Sequence, residues 1–156
     1  MRAKAAAAFG PRLDWLGQLP MHEARQRMAA VDCLVLPSRH DGWGAVVSEA
    51  LMAGTPAICS DRCGAAEVVL ASGTGGVFPA GDQQALEVLL AQQMAQGRQT
   101  LQGRAALARW GQSLGAAAGA RYLLDVLAHH RDGAVRPVPP WRAAVAPHLL
   151  QVGSSA

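Results

Sequence analysis

The chain has 156 residues, the size of one domain with its own core. A hydrophobic fraction of 51% sets it apart from disordered tails, and no run approaches the roughly 18 apolar residues of a membrane-crossing helix. The formal charge of +3 rests almost wholly on scattered arginines, with aromatics at 4%, which argues against a nucleic-acid surface and suits an anionic small substrate or membrane face.

Residues 1–12 carry no clear pattern. The apolar stretch after Lys4 stops at Gly10-Pro11-Arg12, too short for the core of a signal peptide, so a cytoplasmic location with peripheral membrane contact is expected. Leu13 to Gly17 is a short strand candidate. Pro20 opens a helix to about Ala30, with Met21, Ala24, Met28 and Val31 on one face. Cys33 to Leu36 is a continuous apolar run stopped by Pro37, as in a strand buried on both faces of a parallel sheet. A polar, glycine-containing loop runs from Ser38 to Trp43, and Gly44 to Ala53 reads as a helix ended by Gly54. Pro56 to Cys59 is another buried strand, Gly64 to Ala71 a short helix, and Gly75 to Phe78 a further strand ended by Pro79. Alternating strands and helices with short connections predict an α/β domain with a parallel sheet.

After Asp82 the pattern is helical only. Asp82 is an N-cap candidate, and Leu86, Leu89, Leu90 and Met94 keep helical spacing. Gly97 separates this helix from Arg98–Trp110, and a long helix follows from Ser113 to His130. Asp132 to Arg142, with Gly133, Pro137, Pro139 and Pro140, reads as an extended linker, and Gln151 to Ala156 as a frayed end. The domain is therefore set at 1–131, with a linker and tail at 132–156. Cys33, Cys59 and Cys63 lack the spacing of a zinc site or a disulfide framework, and Cys33 and Cys59 read as small core residues. The histidines show no metal-binding spacing, so no metal is expected.

The chemistry is concentrated between Ser38 and Pro56. A buried strand ends at Pro37, two glycines flank Trp43, and a helix opens at Gly44. In open parallel sheets ligands bind beyond the carboxyl ends of strands. A glycine turn that opens a helix there lets backbone N–H groups approach a phosphate, with favourable field from the helix N-terminus. Asp41 lies on the loop and Glu49 in the helix, eight positions later; carboxylates so placed can accept hydrogen bonds from sugar hydroxyls. The pattern alone fits equally an ordinary loop acid, a solvated helix acid and plain turn glycines.

The segment resembles the donor-binding domain of retaining glycosyltransferases of family 4, which have the GT-B fold. Pro37-Ser38, Asp41-Gly42-Trp43-Gly44, Glu49-Ala50, Ala53-Gly54 and Pro56 stand in register with that family's pattern. Ala30 to Ser38, Ser60-Asp61 with Gly64 and Glu67-Val68-Val69, and Gly76-Val77-Phe78 extend the likeness, which covers roughly residues 12–131. The resemblance implies a partial Rossmann-like sheet of about four strands with C-terminal helices, half of a GT-B fold. It implies transfer of a hexose from a UDP- or GDP-linked sugar to an acceptor hydroxyl, with retention and without a cofactor. Carried over, Glu49 holds the donor ribose and Asp41 lies near the hexose hydroxyls. The N–H groups around Gly42, Trp43, Gly44 and Ala45 approach hexose and diphosphate, and Ser38 and Val46 complete the donor-binding set. Asp41 stands where the family usually has Glu, one methylene longer, and Cys63 where it usually has Gly. Nothing matches the family's two preceding strand–helix units, with their diphosphate-binding Arg and Lys, or its acceptor domain. A truncated C-terminal portion is therefore expected, working alone or with a separate acceptor-domain chain. A non-catalytic nucleotide-sugar-binding module, an inactive remnant and a GT-B nucleotide-sugar epimerase are the alternatives.

Overall fold

A computed structural model describes residues 2–144. Three short strands form its sheet: β1 (Leu34–Leu36), β2 (Ala57–Ser60) and β3 (Gly76–Phe78). They lie in chain order and all run parallel, with Leu34 opposite Ala57 and Ile58 opposite Gly76. The order follows from the crossovers. Before these come α1 (Arg2–Phe9) and α2 (Met21–Ala30); α3 (Ala45–Met52) joins β1 to β2, and α4 (Ala66–Ser72) joins β2 to β3. Every residue of β2 is buried, as the unbroken apolar run predicts for a central parallel strand.

Helices complete the domain. In α5 (Gln83–Gln96) the N-cap is Asp82, whose carboxylate accepts from the Ala85 N–H at 2.9 Å. In α6 (Leu101–Gly111) it is Thr100, whose hydroxyl accepts from the Gly103 N–H at 3.0 Å. A 3₁₀ turn at Gln112–Leu114 leads into α7 (Ala116–Asp132), and α8 (Pro140–Ala143) follows. The core is built on β2, where Val47 and Leu51 of α3, Val68 and Val69 of α4, and Leu107 and Trp110 of α6 meet. Cys59 and Cys63 are buried free thiols in it. Burial pushes the Cys33 thiol up to about 11. It pushes Cys59 to about 12, with the neighbouring Cys63 thiol as the lesser cause.

Arg104 of α6 fastens α2 to this core. Its guanidinium donates to the carbonyls of Val31 (2.9 Å) and Ala29 and to the Thr55 hydroxyl (2.9 Å). Thr55 in turn donates to the Met28 carbonyl at 2.6 Å. A cation on the last carbonyls of a helix satisfies acceptors that the helix itself leaves open.

Three expectations change. Leu13–Gly17 is irregular and joins no strand among the described residues; the 3₁₀ turn at Gly10–Arg12 carries the chain aside, and the Leu13 N–H donates back to Gly10 at 3.2 Å. The patternless N-terminus is α1, an alanine-rich helix supported by propensity alone. The linker is irregular only over 133–139: Asp132 still belongs to α7, and Pro140 starts α8, a position where its missing N–H costs nothing. The stretch from Gln151 to Ala156 lies outside the described residues.

Candidate functional site

The loop between β1 and α3 is held from beneath by the chain that follows β2. The Asp41 N–H donates to the Arg62 carbonyl (3.0 Å), the Gly64 N–H to Asp41 (3.2 Å), and the Ala65 N–H to Trp43 (2.6 Å). The Ser60 hydroxyl donates to the Ser38 carbonyl at the mouth of β1. Cys63 donates its S–H to the Trp43 carbonyl at 3.1 Å. Gly44 is left-handed, at φ 84°, and a Cβ there would overlap the Cys63 sulfur; one on Gly64 would overlap the Gly42 carbonyl. The two chain segments thus approach as closely as glycine allows.

Asp41 works inside this loop. Its Oδ1 accepts from the Trp43 N–H at 3.1 Å, closing an Asx turn. The Trp43 indole N–H donates to the Ser48 hydroxyl at 3.1 Å. The backbone donor of Trp43 is thus engaged within the loop and its indole donor on α3, and the Trp43 N–H is not open to a ligand as the resemblance implied. The N–H groups of Gly42, Gly44, Ala45 and Val46 have no partner among the described residues. The last three crown the first turn of α3, an eight-residue helix whose N-terminal field favours an anion. Val46 is exposed beside them, and Ser38 is half-buried at the end of β1.

Glu49 lies one turn further along α3, half-buried, and its carboxylate makes no hydrogen bond or ion pair among the described residues. It lines an open groove of about 320 Å³ with Met52, Ala53 and Arg25 of α2. Asp41 is not part of that lining. The structure thus gathers Gly42, Trp43, Gly44, Ala45 and Val46 at one helix start, and sets Glu49 apart with a cation opposite.

Two features escape a reading along the chain. Arg25 lies off the apolar face of α2 marked by Ala24 and Met28, and only the packing of α2 beside α3 brings it to Glu49. The turn α8 folds back onto α4 and the loop. Trp141 and Arg142 donate to Glu67 Oε1 at 3.0 and 2.6 Å, and the Trp141 and Trp43 rings lie 6.0 Å apart. These two donors hold the Glu67 carboxyl below its usual range, Trp141 first and Arg142 second. A segment with three prolines and a tryptophan gives no periodicity from which such docking could be read.

Residues 3–108 match the family described as Glycosyl transferases group 1. The chain is 47% identical over 45 residues to a protein of Bacillus subtilis named as a teichuronic acid biosynthesis glycosyltransferase, covering 29% of this chain and 12% of that protein. It is 32% identical over 90 residues to the lipopolysaccharide core biosynthesis mannosyltransferase of Rhizobium leguminosarum bv. viciae, covering 58% of this chain and 25% of that one. The matches thus span a quarter or less of these relatives' own length.

Proposed function

Because the chain belongs to the group 1 glycosyl transferases, we propose that it supplies the donor-binding part of a retaining hexosyl transfer. The donor is a UDP- or GDP-linked sugar, and the acceptor a hydroxyl of a cell-envelope glycan, the class that the relatives' names indicate for those proteins. The observation that carries this is the open row of N–H groups at the start of α3, with the unpaired Glu49 carboxylate one turn beyond. The N–H groups of Gly44, Ala45 and Val46 receive the diphosphate, whose leaving charge they stabilise without reorganising. Glu49 accepts from the ribose hydroxyls.

Asp41 contributes in two ways on this reading. One carboxylate oxygen shapes the loop through the Trp43 N–H, and the other faces the hexose. Among the described residues no helix is long and apolar enough to cross a membrane; we place the chain in the cytoplasm, in peripheral contact with a membrane and serving an acceptor-binding partner region.

Titration of the chain with UDP- and GDP-sugars by calorimetry tests the proposal. Saturable binding is expected, and Glu49→Ala should weaken it about ten- to a hundredfold, the worth of hydrogen bonds to a charged group. Absence of binding, or binding indifferent to Glu49→Ala, would refute it.

A further inference from the structure

Arg25 is exposed on α2 and makes no hydrogen bond or ion pair among the described residues. It nevertheless lines the Glu49 groove, on the wall opposite α3. The groove's 320 Å³ is at the small end for ligand pockets, enough for a nucleoside and too little for a whole nucleotide sugar. From this geometry we infer that Arg25 reads the base of the donor nucleotide and selects guanine. The inference rests on the donor-site reading above and goes beyond it in naming the base and the residue that chooses it.

Distance along α3 supports the assignment. At 1.5 Å per residue, Glu49 lies about 6 Å beyond the open N–H group of Ala45, and Met52 about 10 Å beyond it. The order along the helix is anion-binding amides, then a hydroxyl-accepting carboxylate, then the thioether, with Arg25 of α2 lining the same groove. A nucleoside diphosphate presents its parts in that same order: diphosphate, ribose, base. The groove that Arg25 lines therefore runs past the carboxylate toward the base end, where Met52 offers a polarisable sulfur to the ring.

A guanidinium has donors only, set in a planar fork. Guanine presents two adjacent acceptors, O6 and N7, that satisfy the fork together. Adenine puts an amino donor beside N7, against the guanidinium. Uracil separates its two carbonyls by an N–H donor, leaving one acceptor for the fork. A lysine in place of Arg25 would keep the charge and lose the paired geometry. Arg104 supports the arrangement indirectly, because its bonds to Ala29, Val31 and Thr55 hold α2 in place against the core.

The test is equilibrium binding of GDP, UDP and ADP to the full chain, to Arg25→Ala, to Arg25→Lys and to Glu49→Ala. Circular dichroism confirms that each variant is folded, which the exposure of Arg25 favours. The unaltered chain should bind GDP at least about tenfold more tightly than UDP or ADP. Arg25→Ala and Arg25→Lys should bring GDP down to the level of UDP, while Glu49→Ala weakens all three alike. Equal affinities in the unaltered chain, or a GDP preference that survives Arg25→Ala, overturn the inference and leave the donor site standing. A uniform loss for all three nucleotides in Arg25→Ala assigns Arg25 to the diphosphate and overturns it too. If no nucleotide binds, the donor-site reading and the inference fall together.

Discussion

Gly44 occupies the tightest place in the loop. Its left-handed backbone and its contact with Cys63 are separate demands, since one concerns φ and the other the space where a Cβ would stand. Gly44→Ala should lower the stability measured by urea unfolding by about 2 kcal/mol or more, from strain and overpacking together. In a Cys63→Gly background, the further change Gly44→Ala should cost only about 1 kcal/mol, the share from φ. If Gly44→Ala costs as much in the Cys63→Gly background as in the unaltered chain, Cys63 is not the limiting contact. This pairing accounts for Cys63 as a packing residue whose S–H also satisfies the Trp43 carbonyl. A separation of nineteen positions hid it from a linear reading, although each residue stood out on its own. Asp41 shows the same limit. Its presence on the loop was legible, but its turn back to the Trp43 N–H is a matter of side-chain direction.

Among the elements, those defined by a strong local signal were legible and those defined by docking were not. Short apolar runs gave β1, β2 and β3, because a buried parallel strand needs no alternation. Asp82 announced α5 because its side chain can satisfy an open N–H of the first turn. The strand candidate at Leu13 failed because a strand needs a neighbouring ladder, which local composition does not supply. The docking of α8 depends on Glu67 and is sensitive to pH. The carboxyl is held below its ordinary value of 4.5, so its contribution is complete above that value and lost as pH falls through the lowered one. The side chains of Arg142 and Glu67 are both well exposed, so the gain should stay below about 1 kcal/mol. Glu67→Gln should abolish this share of the acid-induced loss, seen as a smaller difference between urea midpoints at pH 7 and pH 3. An unchanged difference would show that the α8 contact does not depend on the carboxylate.

Across the whole molecule, tertiary support is uneven. The helix α1 and the 3₁₀ turn after it pack chiefly on each other, with Arg2 lying 5.3 Å from the centre of the Trp15 ring. None of the core residues comes from this region. Deleting residues 2–12 should therefore shift the urea midpoint by the equivalent of less than about 1 kcal/mol, whereas Leu107→Ala, in the core, should cost about 2–5 kcal/mol. A large effect of the deletion would mean that the N-terminal helix supports the sheet. The groove between α2 and α3 was the least legible feature at this scale, because it exists only where these two helices, separated in the chain by β1, pack side by side. The tilted approach of Trp43 and Trp141, at 58°, has an optical consequence. Two indoles this close couple their electronic transitions, and one of them belongs to the loop beside the unpartnered amides of α3. A nucleotide sugar that shifts Trp43 should alter the sign pattern of the near-ultraviolet circular dichroism, and Trp141→Phe should erase that response while leaving the calorimetric binding signal. The chain thus carries an intrinsic chromophore pair that reports any displacement of Trp43 without an added label.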